Sequence, residues 1–388
     1  MPKVNRRRFL TLAGGTVAAT AASTMLSDSI ARAAAIPANR ATGSIRDVEH
    51  IVILMQENRG FDHYFGTLRG VRGFGDPHPA TQPNGKSVWY QSDGTNDILP
   101  FRPQVPGDDL SLYFVEDLDH SWFWTHNALN NGAWDQWIAS KGTTSMAHYE
   151  RKDAAFHYSL ADTFTVCDNY FCSLLGPTDP NRSYMWTGWV GNDGADGIGP
   201  MTGNFEPDSF PGATPDLGFR WTTYPERLEA AGVSWKIYQD TGLGLNPDNF
   251  FGWGPSYVGN YGDNTLLYFQ QYNAAAPGSP FYQKARTGTT ISTGNDETDA
   301  AAGDGLFDIL RSDVKHDRLP QVSWIAAPES YTEHPQWPTG YGAWYIANIL
   351  DALTSNPEVW SKTAFIITYD ENDGFFDHVV SPVPNVGD

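Results

Sequence analysis

The sequence predicts an α/β fold with a mostly parallel central sheet, flanked by helices and interrupted by long loop-rich insertions. Three observations predict it. Four apolar runs end abruptly in polar groups: HIVILMQEN (50–58), VSWKIYQD (233–240), QVSWIAAPE (321–329) and TAFIITYDEND (363–373). Each run is continuous rather than alternating and rich in β-branched or aromatic residues, as in strands buried on both faces. Helical patterns lie between some of them, and a helix followed by a strand, repeated, is the signature of a parallel sheet. Finally, carboxylates and amides collect just past two of the runs. In open α/β sheets, ligands bind beyond the carboxyl ends of the strands.

Taken from the amino terminus, the first element is not part of that fold. Arg6 and Arg7 stand before Arg8-Phe9-Leu10 and an Ala-rich, mildly apolar stretch. Ala31-Arg32-Ala33 and Ala33-Ala34-Ala35 both fit small-x-small cleavage. Residues 1–35 therefore read as a twin-arginine export signal, which calls for the twin-arginine machinery. The catalytic domain is then expected over 36–388. Run 50–58 delivers Glu57 and Asn58 at its end, and Phe61-Asp62-His63-Tyr64 reads as packing behind that turn. His120 follows in DLDHSW. Thr178 lies in GPTDPNR (176–182), a turn before a helix. A helix is expected over 224–233, stopped by Gly232, because glycine accepts the left-handed conformation that closes a helix. A second covers 341–360 and stops before Pro357. Residues 190–300, rich in Gly, Asn, Asp and Pro, read as a loop-rich insertion. The last run ends in Asp370-Glu371-Asn372-Asp373, and His378 follows shortly after.

Bulk properties narrow the function classes. The chain has 388 residues and a formal net charge of -20. Such a surface repels nucleic-acid phosphates and strongly anionic membranes, but not zwitterionic lipid. After the leader no apolar run is long enough to span a bilayer, so no transmembrane segment is expected. The only cysteines, Cys167 and Cys172, exclude a zinc-type thiolate cluster. They read as buried free thiols, with a small-loop disulfide as the alternative in an exported chain.

Three segments concentrate hard oxygen donors: Glu57-Asn58, the Thr178 turn, and Asp370-Glu371-Asn372-Asp373. Crowded carboxylates repel one another unless a cation sits among them. Oxygen donors of this kind suit a hard divalent ion, calcium, magnesium or manganese before zinc. A metal beside Thr178 would lower its hydroxyl pKa and make it a nucleophile. Arg182 is placed to hold phosphate oxygens. His120, His334 and His378 each have a carboxylate within three residues, a partner able to orient an imidazole and raise its pKa. Trp122, Trp124, Trp134 and Trp137, with Tyr184, Trp186 and Trp189, suit either a cage for a quaternary ammonium or ordinary core packing.

The stretches ENRGFDHYFGTLRGVRGFGDP, DLDHSW, FHYSLADTFTVCDNYFCSLLGPTDPNRSYMWTG, YTEHP and TYDENDGFFDHV together resemble the bacterial phospholipase C and acid phosphatase family of phosphoesterases, distant relatives of alkaline phosphatase. The resemblance implies a metal-dependent phosphoester hydrolase. Glu57, Asn58, Thr178, Asp370 and Glu371 would be metal ligands, and Thr178 the nucleophile of a phospho-threonine intermediate. His120 and His334 would act on the phosphoryl group, with Asn58, Arg182 and His378 on the substrate side. The implied substrate is phosphatidylcholine at a membrane surface, with sphingomyelin second, cut to diacylglycerol and phosphocholine by a secreted, periplasmic or cell-wall-associated enzyme. A broad-specificity acid phosphatase is the near alternative, and a catalytically inactive exported metal- or glycan-binding protein the distant one. Phospholipase-type members run well past the DENDGFFDHV motif, so the domain is expected to be incomplete at its C-terminus.

Overall fold

A computed structural model describes residues 26, 28–113, 115–191, 200–204, 218–239, 256–257, 259–260, 262–288 and 307–383. Its strands are β1 (His50–Gln56), β2 (Gln91–Ser92), β3 (Asp97–Ile98), β4 (Trp235–Gln239), β5 (Thr287–Gly288), β6 (Val322–Ala326) and β7 (Thr363–Tyr369). Strands β2 and β3 form a small antiparallel hairpin. The other five form one sheet in the order β5-β4-β6-β1-β7, every pairing parallel. All four apolar runs of the sequence are strands of this sheet. The polar tails of the first and last runs, Glu57-Asn58 and Asp370-Glu371-Asn372-Asp373, lie past the strand ends.

Apolar side chains cover both faces. Val52 and Leu54 of β1, Tyr238 of β4 and Ile325 of β6 join one buried cluster. Ile53, Ile237 and Trp324, one position away on the same strands, face a second cluster on the opposite side. Successive side chains point to opposite faces, so continuous apolar sequence is what a doubly covered strand needs. Each fully buried Leu, Ile or Phe contributes about 1.5–3 kcal/mol to that sandwich.

The helices used below are α1 (Phe61–Phe65), α2 (Trp122–Leu129), α3 (Ala155–Thr163), α4 (Thr178–Thr187), α5 (Tyr224–Ala230), α6 (Asp308–Lys315) and α7 (Thr339–Leu353). A Thr223–Glu226 capping box opens α5, and Gly232 behind it has φ +69°. Helix α7 stops at Leu353, short of the expected end, and Pro357 opens a separate turn, Pro357–Ser361. Proline's fixed φ and missing N–H suit a first helical turn.

The stretch 190–300 is less peripheral than its composition suggests. Its described part supplies β4, β5 and α5, and Phe219, Leu266, Phe269 and Tyr272 are fully buried there. Positions 192–199, 205–217, 240–255, 258, 261 and 289–300 lie outside the described residues. So do residues 1–25, which carry the arginine pair of the leader. Residues 28–35 are helical. They bury Ile30 and Ala33 against the α6–α7 cluster, and the Trp360 indole donates to the Ala33 carbonyl at 2.9 Å. Both cysteines are free, and Cys167 is exposed rather than buried. Burial, then Glu371 and Asp370, push the Cys172 thiol up to about 12. Among the described residues no helix is long and apolar enough to cross a membrane.

Candidate active site

The register of β1 on β7 builds the site. Gln56 lies opposite Tyr369, so the two strands end together. Glu57-Asn58 and Asp370-Glu371 therefore leave the sheet side by side. Asn58 then turns with φ +52°, a left-handed conformation that asparagine adopts more readily than most residues. That turn lets its backbone N–H donate to Asp370 Oδ1 at 3.0 Å and its Nδ2 donate to Asp373 Oδ1 at 3.1 Å.

Arg182 enters from α4. Its Nε and Nη2 donate to Glu57 Oε1 at 3.1 and 2.7 Å. It also lies 3.0 Å from Asp263 Oδ2 and 3.6 Å from Asp370 Oδ2. Expected on phosphate oxygens, Arg182 here gathers three buried carboxylates. One guanidinium does not balance them. Burial, then the charge of Glu57, push the Asp370 carboxyl up to about 7. Glu371 is raised by burial and by Asp370 and Asp373, against the opposing pull of His120. Asp263 is raised by burial as well, against Arg182.

Four atoms in this group accept no hydrogen bond although they are buried: Asn58 Oδ1, Asp263 Oδ2, Asp370 Oδ2 and Glu371 Oε1. Orphaned buried acceptors are rare, because each forfeits its hydration without a return. Three of the four, on Asn58, Asp370 and Glu371, belong to residues of the expected ligand set, and all four are hard oxygens. The donor chemistry fits a divalent ion of the calcium, magnesium or manganese kind.

Thr178 is the first residue of α4 and is buried. It shares a helix face with Arg182 four positions on. Asn181 pins the loop that delivers it. Its Oδ1 accepts from the Leu174 N–H at 2.8 Å, and its Nδ2 donates to the carbonyls of Leu174, Gly176 and Pro177.

His120 and His334, 214 positions apart in sequence, meet with ring centroids 6.3 Å apart. His120 Nδ1 donates to the Leu118 carbonyl at 2.9 Å and stands 3.3 Å from Asp373 Oδ1. Burial lowers the His120 pKa, but Glu371 and Asp373 outweigh it and hold the imidazole well above its ordinary value. His334 Nε2 is 3.9 Å from Asp117 Oδ1. Ligand atoms of Asp117, His120 and Asp373 all lie within 4.8 Å of one another, close enough to share a metal. Lys141 closes this side, donating to Thr125 Oγ1 at 2.8 Å and to the Asp119 carbonyl. Burial brings its pKa down to about 8, against the pull of Glu371, Asp119 and Asp373.

His378 is placed differently from the substrate contact expected of it. Its Nδ1 is 2.6 Å from Asp62 Oδ2, its Nε2 is 3.2 Å from Asp76 Oδ2, and its ring stacks on Trp89 at 4.5 Å. Both ring nitrogens are thereby occupied in another acidic group, where Asp62, Asp377 and His378 also converge. His63 packs as expected, stacked on Phe375 at 3.6 Å.

Sequence reasoning missed Asp263 and Lys141, each in a stretch with no periodic or motif signal, and Asn181, which lies inside GPTDPNR but was not singled out there. Its choice of carboxylate partners was also too local. His120 takes Asp373, not a neighbour in its own segment. Glu333, beside His334, instead turns with φ +75° toward His157 and Tyr369.

A parallel sheet whose carboxyl edge gathers acidic side chains, two histidines and a helix-start threonine defines an α/β protein with an acidic site whose donors suit a cation. The chain belongs to the Phosphoesterase family, which it matches over residues 48–388. It is 60% identical over 385 residues to the non-hemolytic phospholipase C of Burkholderia pseudomallei, covering 98% of this chain and 52% of that protein. It is 45% identical to the non-hemolytic phospholipase C of Pseudomonas aeruginosa, covering 97% and 49%. Against phospholipase C B of Mycobacterium tuberculosis the identity is 40%, over 99% and 69%. The chain thus spans about half the length of the first two relatives.

Proposed function

We propose that this chain carries the catalytic site of a secreted, metal-dependent phospholipase C. It hydrolyses phosphatidylcholine, with sphingomyelin second, to diacylglycerol and phosphocholine. The observation that carries the proposal is the set of orphaned buried oxygens on Asn58, Asp370 and Glu371, set beside Glu57 and the helix of Thr178. The phospholipase C names of the relatives support the substrate class. The Arg6-Arg7 leader supports export by the twin-arginine route, to a secreted, periplasmic or cell-wall location.

Glu57, Asn58, Thr178, Asp370 and Glu371 would hold the ion, which when bound lowers the pKa of a neighbouring hydroxyl and offsets phosphoryl charge. Thr178 Oγ attacks phosphorus and loses its proton to solvent. The phosphorus–oxygen bond to the glycerol breaks, and the alkoxide leaves with its electron pair. His120, held protonated by Glu371 and Asp373, donates the proton that makes the free hydroxyl. His334 faces the same phosphoryl group. Water then hydrolyses the phospho-threonine.

Hydrolysis of phosphatidylcholine vesicles, with and without chelator, tests this. Thr178→Ala is expected to cut the rate on the order of 10³-fold or more, as loss of a nucleophile does. Full activity in that variant removes the nucleophile assignment. A clear preference of the native chain for a soluble phosphomonoester over phosphocholine esters overturns the phospholipase reading.

A further inference from the structure

We infer that Trp122, Phe123 and Trp124 on α2 dock the site onto a zwitterionic, choline-headed phospholipid surface. The inference rests on the phospholipase reading above. These three consecutive aromatics are 41%, 60% and 40% exposed, whereas Trp134 and Trp137, a few residues on, are 2% and 0% exposed. Water-facing aromatics of this size forfeit the burial that Trp134 and Trp137 gain. The other face of α2, with Thr125, Ala128 and Leu129, is buried, so the helix is anchored and its aromatic edge is presented outward. The patch is also braced internally. Trp122 stacks on His126 at 3.8 Å, and Phe123 meets Trp124 edge-on at 5.2 Å.

Position ties the patch to the chemistry. His120, fixed to Leu118 and Asp373, lies two residues before Trp122. A Cβ placed on Gly176 would lie 3.5 Å from the Cα and Cβ of Trp122, and Gly176 is two residues before Thr178. The aromatic edge therefore borders both the histidine segment and the nucleophile loop.

Chemistry selects the occupant. Tryptophan and phenylalanine settle at the headgroup level of bilayers, where the ring is apolar on one side and wet on the other. Glu116, Asp117 and Asp119, immediately before the patch, are exposed, and the whole chain carries -20. That rim repels anionic headgroups. It attracts the choline ammonium groups of a zwitterionic surface.

The test is co-sedimentation with phosphatidylcholine vesicles, and hydrolysis of those vesicles beside a soluble phosphocholine ester. In W122A/F123A/W124A, vesicle binding and vesicle hydrolysis should each fall about tenfold or more. The soluble-ester rate should stay within about twofold, since none of the three side chains is assigned to the chemistry. F123A alone, at the most exposed position, should show a smaller loss and keeps the test open if the triple variant folds poorly. Unchanged vesicle binding overturns the inference. So does an equal loss on both substrates, or a loss of self-association in light scattering without loss of binding. Patch-dependent binding of vesicles by a native chain that hydrolyses neither substrate would instead sink the phospholipase reading and leave the docking surface standing.

Discussion

Two buried acidic groups in this fold are finished to different degrees. Around Glu333 both carboxylate oxygens accept hydrogen bonds, Oε1 from His157 at 2.8 Å and Oε2 from the Tyr369 hydroxyl at 2.9 Å. Arg59 clamps the same turn, donating to the Glu333 carbonyl at 2.5 Å and to the Trp337 carbonyl at 3.2 Å. Burial alone would raise the Glu333 pKa, but His157 and the surrounding hydroxyls hold it below its ordinary value. Around Asp370 and Glu371 burial and neighbouring carboxylates prevail, and both are raised. Both Glu333 oxygens are satisfied by the chain itself. The second group is left with orphaned oxygens, a donor chemistry that suits a cation.

The largest expected difference is functional. Glu57→Gln and Asp370→Asn should each lower hydrolysis on the order of 10²-fold or more by weakening metal binding. Calorimetric titration with manganese or calcium checks the binding. In chelated protein at pH 8, Asp370→Asn should not lower the melting temperature, since it copies the neutral form that burial favours. Glu333→Ala should do the opposite, costing about 3–5 kcal/mol in denaturant unfolding by stranding its buried donors. Gly342→Ala is smaller. An added Cβ there meets the Glu333 side chain, and overpacking a buried contact costs about 1–3 kcal/mol.

The two groups also pull stability in opposite directions with pH. Asp370 has a raised folded pKa, so its contribution is full below its ordinary value of 3.8 and is lost as pH rises toward about 7. Glu333 has a lowered folded pKa, so its contribution is present above its ordinary 4.5 and is lost as pH falls through the lowered value. Melting temperatures of chelated protein should therefore decline from pH 5 to 8, and Asp370→Asn should flatten that decline. A decline of unchanged slope in the variant breaks the contrast. The smallest effect is expected from His63→Ala. It removes packing against Phe375 but no ligand oxygen, so metal affinity should move far less than in Glu57→Gln.

Much of the scaffold was legible from local pattern. Continuous apolar runs marked four strands of the sheet, because a strand covered on both faces has no polar side to alternate with. Glu57-Asn58 and Asp370-Glu371 were legible as candidate ligands because they end such runs. Arg182 was legible as a site residue, but its partner Asp263 was not, since it lies 81 residues away in a stretch that reads as loop. The tryptophans were not separable either. Spacing is similar for Trp124 and Trp137, yet one is exposed and the other fully buried.

By itself, then, the sequence determined the element types, the acidic ends of two strands and the family. Those depend on side-chain period, composition and short motifs, all written along the chain. Tertiary structure decided the parallel register that sets Asp370 beside Asn58, the pairing of His120 with Asp373, and which carboxylates were satisfied and which left orphaned. Each of these depends on partners tens to hundreds of residues apart, whose distance is set only when the two faces of the sheet are packed.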